Sequence, residues 1–406
     1  MLIGTSGLFA VSALGPVLAT DFGTSASITG LLISIVFACA GLCSKLAGGI
    51  TDRWGPFLPM FVGGVLAAAA LVAVTFAGTR IALVVAVVFV GPCLAVGNPT
   101  SNAIIGRLFA VPDRASATGT KQATGQLGSL VVGIILGPIA ALLGGWRAAI
   151  VTLAAFQLIG TSVSIWAIRR TWQSHTAEVD AIAPAEPGGA RAVPAPVFPD
   201  EPGRRTSVLI RLRIMAALMG VAVASVLAHL PHHAALIAPS NPALPAMLVA
   251  TFGVAGAIGR LAWGSLLRRF PSEGTSLIVI VSGGAVGLML TAAAAGFGAW
   301  VLPMTTFLLG LTLGAWLTVG MFAVIRMRDT AQTGRISGSV MAWNFVGLAV
   351  GPLVVGGIIS FTHYAAAWAV LALMLVGLLP LLSSWPLDPS PQSAKLADHT
   401  QEEHRE

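Results

Sequence analysis

A chain of 406 residues that is 56% hydrophobic and only 9% charged lies far from soluble composition, where about a quarter of residues carry charge. That sets aside a soluble core. The net charge of +7 comes from basic residues scattered among short polar breaks, with no polar domain to hold a duplex, so anionic membrane lipid is the expected partner and nucleic acid is not. Cys39, Cys43 and Cys93 sit in apolar stretches without a ligand-rich neighbourhood, which argues against a disulfide framework and a metal site.

Cutting at charged and Pro/Gly-rich breaks leaves about twelve apolar stretches of roughly twenty residues, the length a helix needs to cross a bilayer. The first six are expected near 2–19, 27–49, 56–78, 81–106, 115–143 and 147–168. From Arg169 to Arg205 the chain turns polar and Pro-dense (IAPAEPGGARAVPAPVFPDEPGRR), the composition of a flexible connector. Six more spans follow near 207–229, 245–267, 275–297, 299–323, 336–360 and 364–386, then a polar tail from Leu387 to Glu406. The expected organisation is a six-helix unit over 1–168, a cytoplasmic linker over 169–206, a second six-helix unit over 207–386 and a cytoplasmic tail over 387–406.

With Met1 on the cytoplasmic side, all 22 Lys and Arg except Arg80 and Arg147 fall in cytoplasmic loops, helix ends or tails. This is the positive-inside pattern, and it places both termini in the cytoplasm. No basic stretch precedes the first span, so a cleaved signal peptide is not expected. Trp146, Trp166, Trp300 and Trp385 stand at expected span ends, where an amphipathic ring favours the headgroup level.

The halves repeat one another in order. GGITDRWGPF from Gly48 corresponds to GSLLRRFPSE from Gly264, which aligns Gly48 with Gly264 and Arg53 with Arg269. Arg114 and Arg335 open the fifth and eleventh spans; each span carries a Gly-Pro (Gly137-Pro138, Gly351-Pro352) and leads to a Trp (Trp146, Trp368). Duplicated six-span halves are a usual construction of secondary transporters, with the substrate site between them.

GGITDRWGPF also resembles the signature between the second and third spans of the major facilitator superfamily, which Gly48, Asp52, Arg53 and Gly55 match. Pro56 and Phe57 stand where the terminal basic pair belongs, and the second-half copy has Arg268 in place of an acid. NPTSNAIIGRLFAVPDRASATGTKQATGQLG followed by ILGPIAALLGGWR resembles bacterial members of the superfamily. The resemblance implies an all-α integral membrane protein with twelve transmembrane helices in two pseudo-symmetric six-helix bundles, working by alternating access in the bacterial inner membrane. It also implies that Asp52 latches onto the eleventh span, where a carboxylate meets the positive end of a helix dipole. The alternative is a tight turn in which Asp52 pairs with Arg53 or a nearby Arg.

Polar residues inside spans are costly in lipid and mark cavities or helix contacts. Asn98 and Asn102 are four apart, on one face of the fourth span. Lys121 and Gln122 lie about two turns into the fifth span, and Trp343 with Asn344 takes nearly the matching place in the eleventh. Together they are candidate substrate-binding residues of a vestibule between the halves. The alternative is helix–helix hydrogen bonding, with Lys121 snorkelling. Arg260, about two turns inside the eighth span, is a candidate carboxylate ligand, again with snorkelling as the alternative. His229, His232 and His233 cluster beside Pro231 without a carboxylate or Cys companion, so a loop is expected there and no metal site.

No Asp or Glu falls at mid-span, which disfavours organic cations as cargo and leaves anions and neutral amphipathic compounds. No catalytic set and no GxxxxGK[ST] loop is present, so an enzyme and a nucleotide-driven pump are not expected, nor is any cofactor. The reading is a secondary transporter of a small organic solute, working as a monomer. Its alternatives are a multidrug-type efflux transporter and a non-transporting membrane sensor or assembly protein.

Overall fold

The computed structural model describes residues 2–23, 27–108, 114–182, 202–266, 272–326, 333–383 and Trp385. Among these every regular element is a helix. The first half contains α1 (Leu2–Ala13), α2 (Gly15–Asp21), α3 (Ser27–Trp54), α4 (Phe57–Phe76), α5 (Arg80–Val88), α6 (Val90–Leu108), α7 (Arg114–Leu142) and α8 (Trp146–Ile182). The second contains α9 (Pro202–Ile237), α10 (Leu244–Leu266), α11 (Glu273–Phe297), α12 (Val301–Thr312), α13 (Trp316–Arg326), α14 (Thr333–Phe361), α15 (Tyr364–Val376) and α16 (Leu379–Ser383). Lipid offers the backbone no hydrogen bonds, and a helix satisfies its N–H and C=O groups within one segment.

The pairs α1/α2, α5/α6, α12/α13 and α15/α16 are each one run with a local break, so the helices form twelve runs. Ten runs are long and apolar enough to cross a membrane, and α3 supplies a shorter apolar stretch, Ile28–Ser44. The first run breaks at Leu14, where Pro16 lies in the first turn of α2 and suits a helix start better than an interior. Pseudo-symmetry shows in which runs pack together. In the first half α1 packs on α7, α3 on α6 and α4 on α8; in the second, α9 packs on α14, α10 on α12 and α11 on α15. These are equivalent pairs in the two six-run units.

The halves meet along two antiparallel seams, α7 against α10 and α3 against α14. Small residues make this possible, since helices in lipid associate by close backbone approach and not by the hydrophobic effect. On the first seam a Cβ at Gly133 would lie 2.5 Å from Ala250 Cβ, and one at Gly253 would lie 2.5 Å from Gln126 O. On the second, a Cβ at Gly30 would come within 2.9 Å of Pro352 O, and one at Gly41 within 3.4 Å of Phe345 Cβ. One further step along that seam, Gly48 and Gly338 have nothing within 4 Å among the described residues. Among the described residues, helices α3 and α14 therefore touch around Gly30 and Gly41 and not around Gly48 and Gly338. The parted end is the one where α8 finishes and α9 starts, here called the linker face; the closed end is the far face.

Three expectations change. Helix α8 runs on to Ile182 and α9 begins at Pro202, so helix enters both ends of the expected connector, whose residues 183–201 lie outside the described residues. The tail beyond Trp385 does too. The histidines are in no loop: α9 passes through Pro231 unbroken to Ile237, and His229, His232 and His233 are all buried in it. A Pro is tolerated here because neighbouring groups in a packed bundle re-satisfy the freed backbone. Trp146 and Trp385 are buried, whereas Trp166 and Trp300 are exposed as expected. Trp146 donates Nε1–H to Asp21 Oδ2 at 2.7 Å, which gives its polar atom a partner inside the protein.

Candidate functional site

Two cationic side chains stand on the seams about two turns in from the linker-face ends of α7 and α10, each held by neutral groups. Lys121, two turns into α7, is only 9% exposed and donates Nζ–H to Asn102 Oδ1 on α6 at 2.5 Å. Arg260 on α10 donates Nε–H to Gly314 O at 3.0 Å. Its Nη1 donates across the seam to both acceptors of Gln122 on α7, O at 3.3 Å and Oε1 at 3.2 Å. Lys121 and Gln122 are consecutive, so one turn of α7 carries contacts to both cations.

Neither cation meets a carboxylate among the described residues. The ion pair the described side chains form is Arg147–Asp21, at 3.4 Å and partly exposed on the far face. There Arg80 also fastens the chain after α2, donating Nε–H to Phe22 O at 3.0 Å and Nη2–H to Gly23 O at 2.7 Å. A buried and a half-buried cation without counter-ions among the described residues are costly in a low-dielectric interior, so a site of this kind is electrostatically suited to an anion.

The acceptor at Gly314 exists because the tenth run breaks between α12 and α13. Carbonyls at that break lack full helical partners, and α10 supplies donors for them: Arg260 to Gly314 O, and Trp263 Nε1–H to Leu311 O at 3.1 Å. Gln126, one turn beyond Gln122, adds a longer bond from Nε2 to Gly314 O at 3.4 Å. Sequence reasoning missed Gln126, Trp263 and Gly314. The i, i+4 spacing of Gln122 and Gln126, and Gly310 with Gly314 in one apolar run, were the available signals.

The remaining candidates stand apart from this cluster. Asn98, one turn before Asn102, makes no side-chain hydrogen bond among the described residues. Asn344 is 5% exposed with Oδ1 unpartnered among the described residues, and its backbone lies on the α9 side of α14, where a Cβ at Gly220 would come within 2.5 Å of Asn344 O. Its neighbour Trp343 is 48% exposed. Hydrogen bonds among the described residues link neither Trp343 nor Asn344 to Lys121 or Arg260.

At the signature, Gly55 has φ +74°, a left-handed conformation that ends α3 after Trp54 and favours glycine. Gly48 is open to the parted seam, and Arg53 is exposed with its guanidinium 6.0 Å from the Trp54 ring centre. The side chain of Asp52 lies outside the described residues.

On the far face His232 bonds across the closed seam, and His229 and His233 bond within the second half. His229 Nε2 lies 2.9 Å from Pro352 O, which only accepts, so that nitrogen carries the hydrogen. His229 Nδ1 is then a buried lone pair without a partner among the described residues. His232 Nε2 bonds Thr29 Oγ1 across the halves at 2.7 Å. Trp368 Nε1–H donates to His233 Nδ1 at 3.1 Å, and the His233 ring stacks on Tyr364 with centres 4.9 Å apart. Ser12 Oγ–H adds a second cross-half bond to Leu227 O.

A family model of the Major Facilitator Superfamily matches residues 1–326. No curated protein matches the chain. The match covers most of the sequence and agrees with twelve helical runs in two equivalent sets and a glycine-ended α3 signature; the chain belongs to the major facilitator superfamily and is a secondary transporter, not an enzyme.

Proposed function

We propose that the protein carries a small organic anion across the bacterial inner membrane by alternating access, with Lys121 and Arg260 as its fixed positive charges. The observation that carries this reading is their surroundings: two cations about two turns inside the linker-face ends of their helices, each bonded only to neutral acceptors among the described residues. Asn102 positions Lys121, and Gln122 lies beside Arg260. Asn98 on α6 and Trp343 on α14 are the further candidates for the vestibule wall, whereas Asn344 is buried on the α9 side of α14.

The linker face is the cytoplasmic one, because the basic residues outside the spans concentrate there. The arrangement described, closed at the far face and parted at the linker face, is then open to the cytoplasm. Gly48, Asp52, Arg53 and Gly55 form the gate that closes that side, with Asp52 meeting α14. A complete pathway lies within one chain, which works as a monomer.

A neutral amphipathic cargo is the second reading. The observation favouring it is that Lys121 and Arg260 already have amide or carbonyl partners, so amide hydrogen bonding by the site needs no charge on the ligand. A thermal-shift screen of the purified protein separates the readings. Stabilisation by organic anions that disappears in both Lys121→Ala and Arg260→Ala supports the first; stabilisation by neutral compounds that survives both variants supports the second. A permanently cationic ligand bound equally by wild type and both variants contradicts both and favours multidrug efflux.

A further inference from the structure

Arg260 has five N–H groups, and their assignments restrict how it can take a ligand. Nε is committed to Gly314 O, both acceptors of Nη1 belong to Gln122, and Nη2 has no partner among the described residues. An oxyanion prefers two parallel bonds to a guanidinium. With Nε occupied, the fork left is Nη1 and Nη2, so a bidentate anion must draw an Nη1–H away from Gln122. A hydrogen bond to a charged acceptor is about twice as strong as one to a neutral acceptor, so the exchange favours the anion.

Gln122 belongs to the first half and Arg260 to the second, so the exchange has a mechanical consequence. From it we infer that the Arg260–Gln122 contact is an occupancy-sensitive latch: empty, it ties α7 to α10 by two bonds; with an anion on Arg260, Gln122 gives up one of them and the tie is weakened. This rests on the anion reading given above. Nε stays anchored to Gly314 O, so the guanidinium keeps its place while its tie to the other half loosens. The cross-half bonds remaining at this level are one from Nη1 to Gln122 and the longer one from Gln126. A ligand shifts a conformational equilibrium only by its difference in affinity for the two states. An anion must displace Gln122 in the latched state and not in the unlatched one, so binding shifts the protein away from the arrangement described.

The test uses the full chain with Cys39, Cys43 and Cys93 replaced by Ser and one Cys introduced at Gly338, on the parted face. Maleimide labelling reads how far that face is open; calorimetry with benzoate, succinate and citrate reads anion affinity. Gln122→Leu removes Oε1, so labelling in the absence of anion should fall and affinity for the anion that binds should rise, each by about two- to twelvefold, the range of one net hydrogen bond. Gln122→Glu places a carboxylate on Arg260 and should act oppositely, raising labelling and weakening the anion by roughly tenfold or more. Variants that elute as folded monomers in detergent but leave labelling and affinity unchanged would overturn the latch. Labelling that shifts as expected while none of the three anions binds wild type or Gln122→Leu would instead overturn the anion reading, leaving a contact insensitive to occupancy.

Discussion

His232 on α9 and Thr29 on α3 are joined across the two halves, Nε2 to Oγ1 at 2.7 Å, beside the point where a Cβ on Gly30 would lie 2.9 Å from Pro352 O. The far-face seam thus combines one specific polar bond with a backbone approach that only glycine permits. Thr29→Val removes the bond while keeping the shape, and should shift the equilibrium away from far-face closure by about 0.5–1.5 kcal/mol. Gly30→Leu overpacks the same spot and should shift it further, by about 1–3 kcal/mol. Both shifts should appear as reduced maleimide labelling of a Cys at Gly338, because in the proposed alternating-access cycle the linker-face ends of α3 and α14 meet when their far-face ends part. Unchanged labelling in Gly30→Leu would show that this seam does not govern the equilibrium.

Asp52→Ala should lower the transport rate far more than it lowers the amount of protein in the membrane, with ligand affinity retained. A gate residue sets the balance between states without touching cargo. Rate per transporter, from uptake normalised to membrane level, checks it. A normalised rate equal to wild type would exclude the gating role.

A Cys introduced at Ala190, in the connector between α8 and α9, should resist an impermeant thiol reagent in intact cells and react once the membrane is opened. This follows from the concentration of basic residues on the linker face. Labelling in intact cells would invert the orientation and place the parted face outside.

The helical runs were legible in the sequence because length and apolarity are imposed by the bilayer itself. Their ends were less so: the polar start of the connector still forms helix through Ile182, since a segment leaving the membrane can remain helical on its own local preferences. Pro231 signals a loop at the histidines only by a rule drawn from isolated helices, which packing against α3, α14 and α15 overrides. At the site, residue types marked Lys121, Asn102, Gln122 and Arg260, but not the pairing of Arg260 with Gln122, which depends on the register of α7 against α10. Gly314 was hidden for another reason. Its role comes from a main-chain carbonyl freed by a helix break, and no side chain announces it.

The central claim is that cargo meets Lys121 and Arg260 during alternating access, and counterflow in proteoliposomes tests it most directly. Liposomes loaded with an unlabelled organic anion identified by thermal shift should accumulate the labelled compound transiently against its gradient. Truncating one partner of a desolvated charge pair costs about 2–5 kcal/mol, so Lys121→Ala or Arg260→Ala should raise the half-saturating concentration by roughly 30-fold or more, while Asn98→Ala changes it less. Equal half-saturation in wild type, Lys121→Ala and Arg260→Ala, with full counterflow of an anion in all three, would contradict the account.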